Sequence, residues 1–344
     1  VAVASRLDIL IPGLFGPVPV QRGDIGDTPT LSRLLGRAVP IPTPGEDPVS
    51  ALAARFGVSR DQESDWPSGP LCLLGDSQGV PPPNGFIMHA DPVHLRVDRD
   101  RLLLFDSRHL SLDRREADLL VGLFNAHFSE DGLLLKAPCP DRWYLQLEAA
   151  PRMRTTPLHA AVGRSISPLL PQGPEGAAWA RILNEAQMLF HQSRVNRERE
   201  EAGRPSISGI WPWGGGRLSP VACPPRYGLV FGDDPLLAGL AAVAGMRAES
   251  LPDDSSTLLH SRPSGDILAV WKALWNPVLD ADGAGWLDQL QRLDAWLAPL
   301  ADALRRGAVG LIDLDPCVGR GFRVSRWGLR RFWRGTARIR EYMH

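Results

Sequence analysis

Short apolar runs that stop at Gly or Pro alternate with segments whose apolar positions recur every three or four residues, and this alternation predicts an α/β chain. Arg6 to Ile11 is an apolar run stopped by Pro12-Gly13, the pattern of a buried strand ending in a loop. Thr28-Pro29 opens a segment in which Leu31, Leu34 and Leu35 share one helical face, so a helix capped by Thr28 is expected. Leu95 to Phe105 reads as a hairpin turning at Asp98-Arg99-Asp100. After Asp113, a capping residue, Leu119, Leu120, Leu123 and Phe124 follow at helical spacing. Gly132 to Ala137 and Trp143 to Leu147 read as two more strands. One helix is predicted over 175–201, with Ile182, Ala186, Leu189 and Phe190 on its apolar side and Gly203 and Pro205 ending it. Tyr227 to Phe231, Asp266 to Trp271 and Ala308 to Ile312 have the continuous apolar character of buried parallel strands, interleaved with helices at 234–244 and 285–306.

The strand-helix alternation at both ends, and the hairpin-plus-helix pattern between them, predict a doubly wound core from residues 1–80 and 215–344. A smaller α+β domain, 81–214, is expected as an insertion. The 32 Pro and 34 Gly cluster in between as long loops rather than disorder, because apolar runs separate them.

Composition narrows the function classes. With 38 basic against 39 acidic residues in 344, a net charge of −1 gives no general pull toward nucleic acid or a membrane surface. No stretch approaches the roughly 20 apolar residues that span a bilayer, and the opening residues carry no leader pattern, so a cytoplasmic location is expected. Cys72, Cys139, Cys223 and Cys317 form no CxxC pair, which argues against a zinc knuckle or a disulfide framework and for buried thiols.

Longer stretches of text carry a resemblance. The segment from His89 through Asp91, Asp106 and Arg108 to Asn125, the helix ending in His191 with Val195-Asn196-Arg197 after it, and the Gly214-Gly215-Gly216 run after Trp213 follow one another in a specific order. So does Tyr227-Gly228-Leu229-Val230-Phe231 before Asp233-Asp234. Over roughly residues 85–300 the chain resembles the archaeal-type, cofactor-independent phosphoglycerate mutases of the alkaline phosphatase superfamily. Within them it is most similar to a bacterial subgroup of RpfE-type regulatory proteins, on Asn184-Glu185-Ala186-Gln187 and Trp211-Pro212-Trp213-Gly214-Gly215-Gly216. The resemblance implies an alkaline-phosphatase-like doubly wound sheet with an inserted smaller α+β domain.

It also implies a chemistry whose parts are missing here. In that superfamily two divalent metals, Mn, Zn or Mg, activate a Ser or Thr nucleophile and hold the phosphoryl group. The opening strand should end in a metal-binding Asp followed by Gly, and here Pro12 stands in the ligand's place. Counting back from Gly57 puts Pro48 near the nucleophile position and leaves Glu46 and Ser50 as unmatched catalytic candidates, Ser50 being also suited to a helix cap. After Lys272, Trp275 and Leu279 sit where an Asp and a His are needed. The last Gly-Asp-His strand end is replaced by Ile312-Asp313-Leu314-Asp315-Pro316. Asp280, Asp282 and Asp315 remain as metal candidates, and no cofactor is expected.

The surviving polar residues suggest binding instead. His89 and Asp91 share one face of a strand, whereas His94 points the other way. Gly214, Gly215 and Gly216 suit a phosphate-cradling turn or a hinge, and Arg108, His191, Asn196 and Arg197 suit a carboxylate or phosphate ligand held between the domains. Eight arginines between Arg320 and Arg340 interleave with Phe322, Trp327, Phe332 and Trp333, a surface for an acidic partner or an amphipathic tail packed on the core. Nucleic acid is the less favoured partner because no groove-reading module is present. Two readings of function result: a catalytically degenerate regulatory or phosphometabolite-binding protein, and an active metal-dependent mutase or phosphatase with a rearranged site.

Overall fold

The computed structural model describes residues 4–21, 25–60, 64–80, 85–218, 226–260, 265–330, 335–337 and 339–343. Cys223 and positions 331–334 and 338 of the arginine-rich tail lie outside them. The chain opens with β1 (Ala4–Leu10), α1 (Pro29–Arg37), β2 (Val39–Pro42), α2 (Pro48–Arg55) and α3 (Ser68–Asp76). It continues with β3 (Phe86–Asp98), β4 (Arg101–Phe105), α4 (Arg114–Phe128), β5 (Leu134–Cys139), β6 (Arg142–Leu147), α5 (Leu158–Ala161), α6 (Gly176–His191), α7 (Arg194–Glu201) and β7 (Gly209–Gly216). The last leg holds β8 (Tyr227–Phe231), α8 (Pro235–Val243), β9 (Ala248–Glu249), α9 (Ser256–His260) and β10 (Asp266–Val270). After these come α10 (Trp275–Leu279), α11 (Gly283–Arg306), β11 (Val309–Asp315), β12 (Arg320–Ser325) and α12 (Arg326–Leu329). Two compact units result, Val1–Val58 with Val221–His344, and Ser59–Pro220.

The first unit is a seven-stranded sheet in the order β2-β12-β11-β1-β10-β8-β9. β1 runs parallel to β10 and β11, β8 parallel to β10 and β9, and β12 antiparallel to β11 and β2. The expected strands therefore share one sheet, because their apolar residues fill it from both sides. On one side Leu7, Ile9, Ile267, Ala269, Ile312 and Leu314 pack against α1 and α11. Period two sends Asp8 to the opposite face. Thr28 makes no side-chain cap bond to α1, contrary to expectation. Asp294 of α11 takes that task, accepting from Leu31 N at 2.7 Å and Thr30 N at 3.4 Å. Gly307, at φ 82°, ends α11 in the left-handed conformation that a Cβ disfavours.

In the second unit β4-β3-β6-β5 form an antiparallel sheet, and β7 pairs with the other side of β3. The predicted hairpin turns at Arg99, φ 56°. Asp113 caps α4 in a reciprocal box with Glu116. Phe124, Phe128, Trp143, Leu145, Trp179 and Phe190 build the core, while Leu119 of the predicted apolar face is exposed. The single helix expected over 175–201 is two. α6 stops at His191, and Ser193 accepts from Asn196 N at 3.1 Å to start α7. Asn196 holds the corner, donating to Phe190 O and Ile207 O and accepting from Ile207 N. Arg199, fully buried, donates to Glu116, Leu110 O and Pro205 O. Helix α3, within the segment read as part of the core domain, packs on β3 and β7. A Cβ on Gly69 would lie 2.7 Å from Met88 Cα, so only glycine permits that approach.

Candidate functional site

In open α/β sheets ligands bind beyond the carboxyl ends of the strands, where successive connections diverge to opposite faces. Here α8, which follows β8, packs with α2, whereas the chain after β10 leads into α11 on the other face. The crevice between those strand ends is a cavity of about 720 Å³ lined by Asp233, Trp271, Lys272, Asn276, Arg292 and Trp296 among others. The two indole rings lie 5.1 Å apart, and Trp296 Nε1 donates to Pro252 O at 2.9 Å. Lys272 pairs with Asp234, which also caps α8 by accepting from Leu236 N at 2.8 Å. Burial pushes the Asp234 carboxyl up, but the Lys272 ammonium and these hydrogen bonds hold it below the usual carboxylate range.

Beside the carboxyl end of β11 lies a buried charge network. Arg55, the last residue of α2, donates through Nη2 to Asp315 Oδ2 at 2.6 Å and through Nε to Asp8 Oδ2 at 3.1 Å. Asp315 also accepts from Thr43 Oγ1 at 3.1 Å and Cys317 N at 2.8 Å. Asp8 accepts from Tyr227 Oη at 2.7 Å and Arg226 Nη2 at 2.8 Å. Both carboxylates are at most 1% exposed. Burial opposes their ionisation, yet Arg55 and the other donors hold Asp8 below its ordinary value. Asp315, with one guanidinium, stays above it because burial outweighs Arg55. The sequence signal for this network is a lone Asp inside the apolar run of β1, which the reading passed over.

The residues present do not fit a two-metal centre. Asp315 is occupied by Arg55, Asp313 by Arg6 and Arg323, and Asp282 by capping α11 through Gly285 N. Asp47, not Ser50, caps α2, and the Ser50 hydroxyl completes the box by accepting from Asp47 N at 3.3 Å, while it also donates to Asp47 Oδ2 at 2.5 Å. Asp280 follows the last turn of α10, the helix that carries Trp275 and Leu279, and Glu46 lies beside Gly319. Among the described residues no three His, Cys, Asp or Glu side chains are grouped to hold a metal.

The binding candidates of the second unit fall into separate groups. His89 is buried, stacks on Trp213 at 4.0 Å and lies 3.9 Å from Asp91. Asp91 accepts from Trp213 Nε1 at 2.8 Å and Trp143 N at 3.3 Å, and burial pushes its carboxyl up to about 7. Gly214, Gly215 and Gly216 continue strand β7 instead of forming a turn. A Cβ on Gly214 would lie 2.1 Å from Ser68 Oγ and one on Gly216 2.4 Å from Pro67 Cβ, so these glycines admit α3 and the residue before it. His191 and Arg197 are exposed at the α6–α7 corner that buried Asn196 ties together. Arg108 pairs with Asp106 at 2.8 Å. His94, on the other face of β3, lies 2.9 Å from Ser206 O through Nδ1. Sequence reading also missed Asp76, which takes Arg142 at 2.8 Å and Tyr144 Oη at 2.6 Å.

No protein-family profile matches the chain. Over 126 residues it is 32% identical to the 2,3-bisphosphoglycerate-independent phosphoglycerate mutase of Methanothrix thermoacetophila, a match covering 35% of this chain and 31% of that protein. Over 160 residues it is 27% identical to 2,3-bisphosphoglycerate-independent phosphoglycerate mutase 2 of Methanothermobacter thermautotrophicus, covering 44% and 39%. Over these stretches the chain is similar to phosphoglycerate mutases. Its matches span less than half the length of these curated relatives. Among solved structures, the PH0037 protein of Pyrococcus horikoshii superposes with a TM-score of 0.55 at 14% identity, covering 94% of this chain and 88% of that one. A cofactor-independent phosphoglycerate mutase from Thermoplasma acidophilum gives 0.48 at 15% identity, covering 98% and 94%. The fold is the expected alkaline-phosphatase-like doubly wound sheet with a smaller α+β unit. No helix among its described residues is long and apolar enough to cross a membrane.

Proposed function

We propose that this chain is a mutase-like protein that no longer transfers phosphoryl groups and serves as a bacterial, cytoplasmic regulator responding to an anionic or phosphorylated metabolite. The observation that carries this reading is Arg55. A guanidinium fixed between Asp8 and Asp315 supplies, as a permanent part of the protein, the positive charge for which a metal would compete. With Pro12, Trp275 and Leu279 at ligand positions and Ser50 tied to Asp47, neither Lewis acid nor nucleophile is provided for. The likeness of Asn184 to Gln187 and Trp211 to Gly216 to RpfE-type regulatory proteins supports a regulatory role. Exposed His191 and Arg197 at the α6–α7 corner are the side chains proposed to meet the ligand's acidic groups, while Arg108 on Asp106 and the His89–Asp91 pair lie in separate groups.

The test is an assay of purified protein with 3-phosphoglycerate and added Mn, Mg or Zn, alongside elemental analysis of protein prepared without chelator. No turnover and less than stoichiometric metal are expected. Turnover at an ordinary enzymic rate, abolished by a chelator, would overturn the reading in favour of a working mutase or phosphatase.

A further inference from the structure

On the first unit, away from the switch-point crevice, a cavity of about 450 Å³ opens on the sheet face that carries Asp8. Its charged lining is Arg6 and Asp8 of β1, Arg55 of α2, Arg226 before β8, Asp313 of β11 and Arg323 of β12. In these central strands the register sets Asp8 beside Asp313 and Asp313 beside Arg323. At these positions the sheet face is charged where apolar residues are the rule.

Stability does not account for that arrangement, because buried ion pairs are generally matched or bettered by apolar residues of the same volume. What the pairs do provide is orientation. Arg323 grips Asp313 with Nε and Nη2 at 2.9 and 2.8 Å, and Arg6 holds the same carboxylate through Nη2. Arg226 binds Asp8 at 2.8 Å and Asp266 at 3.2 Å. Each guanidinium has five N–H donors in a fixed plane. These contacts leave Nη1 of Arg6, Arg226 and Arg323 with no hydrogen-bond acceptor recorded among the described residues, and Nε of Arg6 is buried without one. The lining holds four arginines against two aspartates, since Asp315 and Asp266, which balance Arg55 and Arg226, lie outside it. Arg226 is 46% exposed and Arg323 36%, so a solute reaches them.

We propose that this cavity is a receptor for a small oxyanion bearing at least two negative charges, held by the outer N–H edges of Arg6, Arg226 and Arg323. Buried Asp8 and Asp313 act from behind as positioning residues, holding the forks apart and aimed before the ligand arrives. Pre-organisation of this kind lowers the ordering cost of binding. Planar forks suit carboxylate and phosphoryl oxygens alike. The site is independent of the loss of phosphoryl transfer proposed above, and either holds if the other fails.

The experiment is calorimetry and thermal unfolding of the full chain with pyrophosphate, citrate and inorganic phosphate, each against sodium chloride of equal ionic strength. Saturable binding of pyrophosphate, citrate or both is expected, and which one binds separates a phosphoryl from a polycarboxylate ligand. Arg226→Gln and Arg323→Gln should each weaken it about tenfold to a hundredfold, the range for losing one charge-assisted pair. Arg305→Gln, exposed in the last turn of α11 and outside this cavity, should leave affinity unchanged. If Arg323→Gln does not fold, Arg323→Lys retains the charge on Asp313 but removes the fork, and should weaken binding comparably. Absence of binding above the chloride control, or equal losses in the Arg226, Arg323 and Arg305 variants, would overturn the proposal.

Discussion

Arg55 Nη2 donates to Asp315 Oδ2 at 2.6 Å, joining the end of α2 to the carboxyl end of β11 across 260 residues of sequence. Both side chains are buried, so little solvent screens the pair, and the same guanidinium reaches Asp8.

Replacing Arg55 with Met should therefore strand two buried carboxylates. Breaking such a pair by removing one partner costs about 3–5 kcal/mol. Urea unfolding at pH 7 measures it, and a loss below about 1 kcal/mol would show that water reaches both aspartates. Asp8 lies below its ordinary value in the folded protein, so its contribution is present above the unfolded value of about 3.9 and is lost as pH falls through the folded one. The penalty of Arg55→Met should shrink in acid accordingly.

Asp91 has the opposite sign. Its folded carboxyl is pushed up to about 7, so the folded state binds the proton more tightly than the unfolded chain. This contribution is fully present below about pH 3.9 and is lost as pH rises through about 7, with a slope near 1.4 kcal/mol per pH unit between. Asp91→Asn keeps an acceptor for Trp213 Nε1 and should flatten that dependence. An unchanged slope in the variant would assign the effect to another group.

Two glycines should respond in opposite directions. Gly214→Ala puts a Cβ against Ser68 Oγ at a φ of 62°, and a loss of about 2 kcal/mol is expected. Gly122 is exposed inside α4 with nothing within 4 Å of a new Cβ, so Gly122→Ala should gain about 0.5–1 kcal/mol. Thermal unfolding of both variants checks the pair. Similar shifts would mean that α3 yields to the added methyl group.

Asp47→Ala should cost about 1–2 kcal/mol, because Val49 N and Ser50 N lose their shared acceptor at the start of α2. A smaller loss, matched by Ser50→Ala, would show that solvent replaces the whole capping box.

By itself the sequence determined what depends on neighbours a few residues apart. The apolar runs of β1, β8 and β10, the helical spacing in α4, Asp113 as its cap, and the turn at Arg99 were all legible because each is fixed by local sterics and hydrogen bonding. That Pro12 offers no side-chain donor at the end of β1 was legible too, since no fold gives proline one. Only the tertiary structure decided the rest. It broke the long helix at Ser193, gave α1 its cap from Asp294, ran Gly214 to Gly216 on as strand against α3, and set Arg55 between Asp8 and Asp315. Each of these turns on a partner distant in sequence, and one chain's composition and spacing do not say which charge will face which across a sheet. Burial then makes that choice consequential, because in a dry interior a charge without its partner costs several kcal/mol, while on the surface it costs almost nothing.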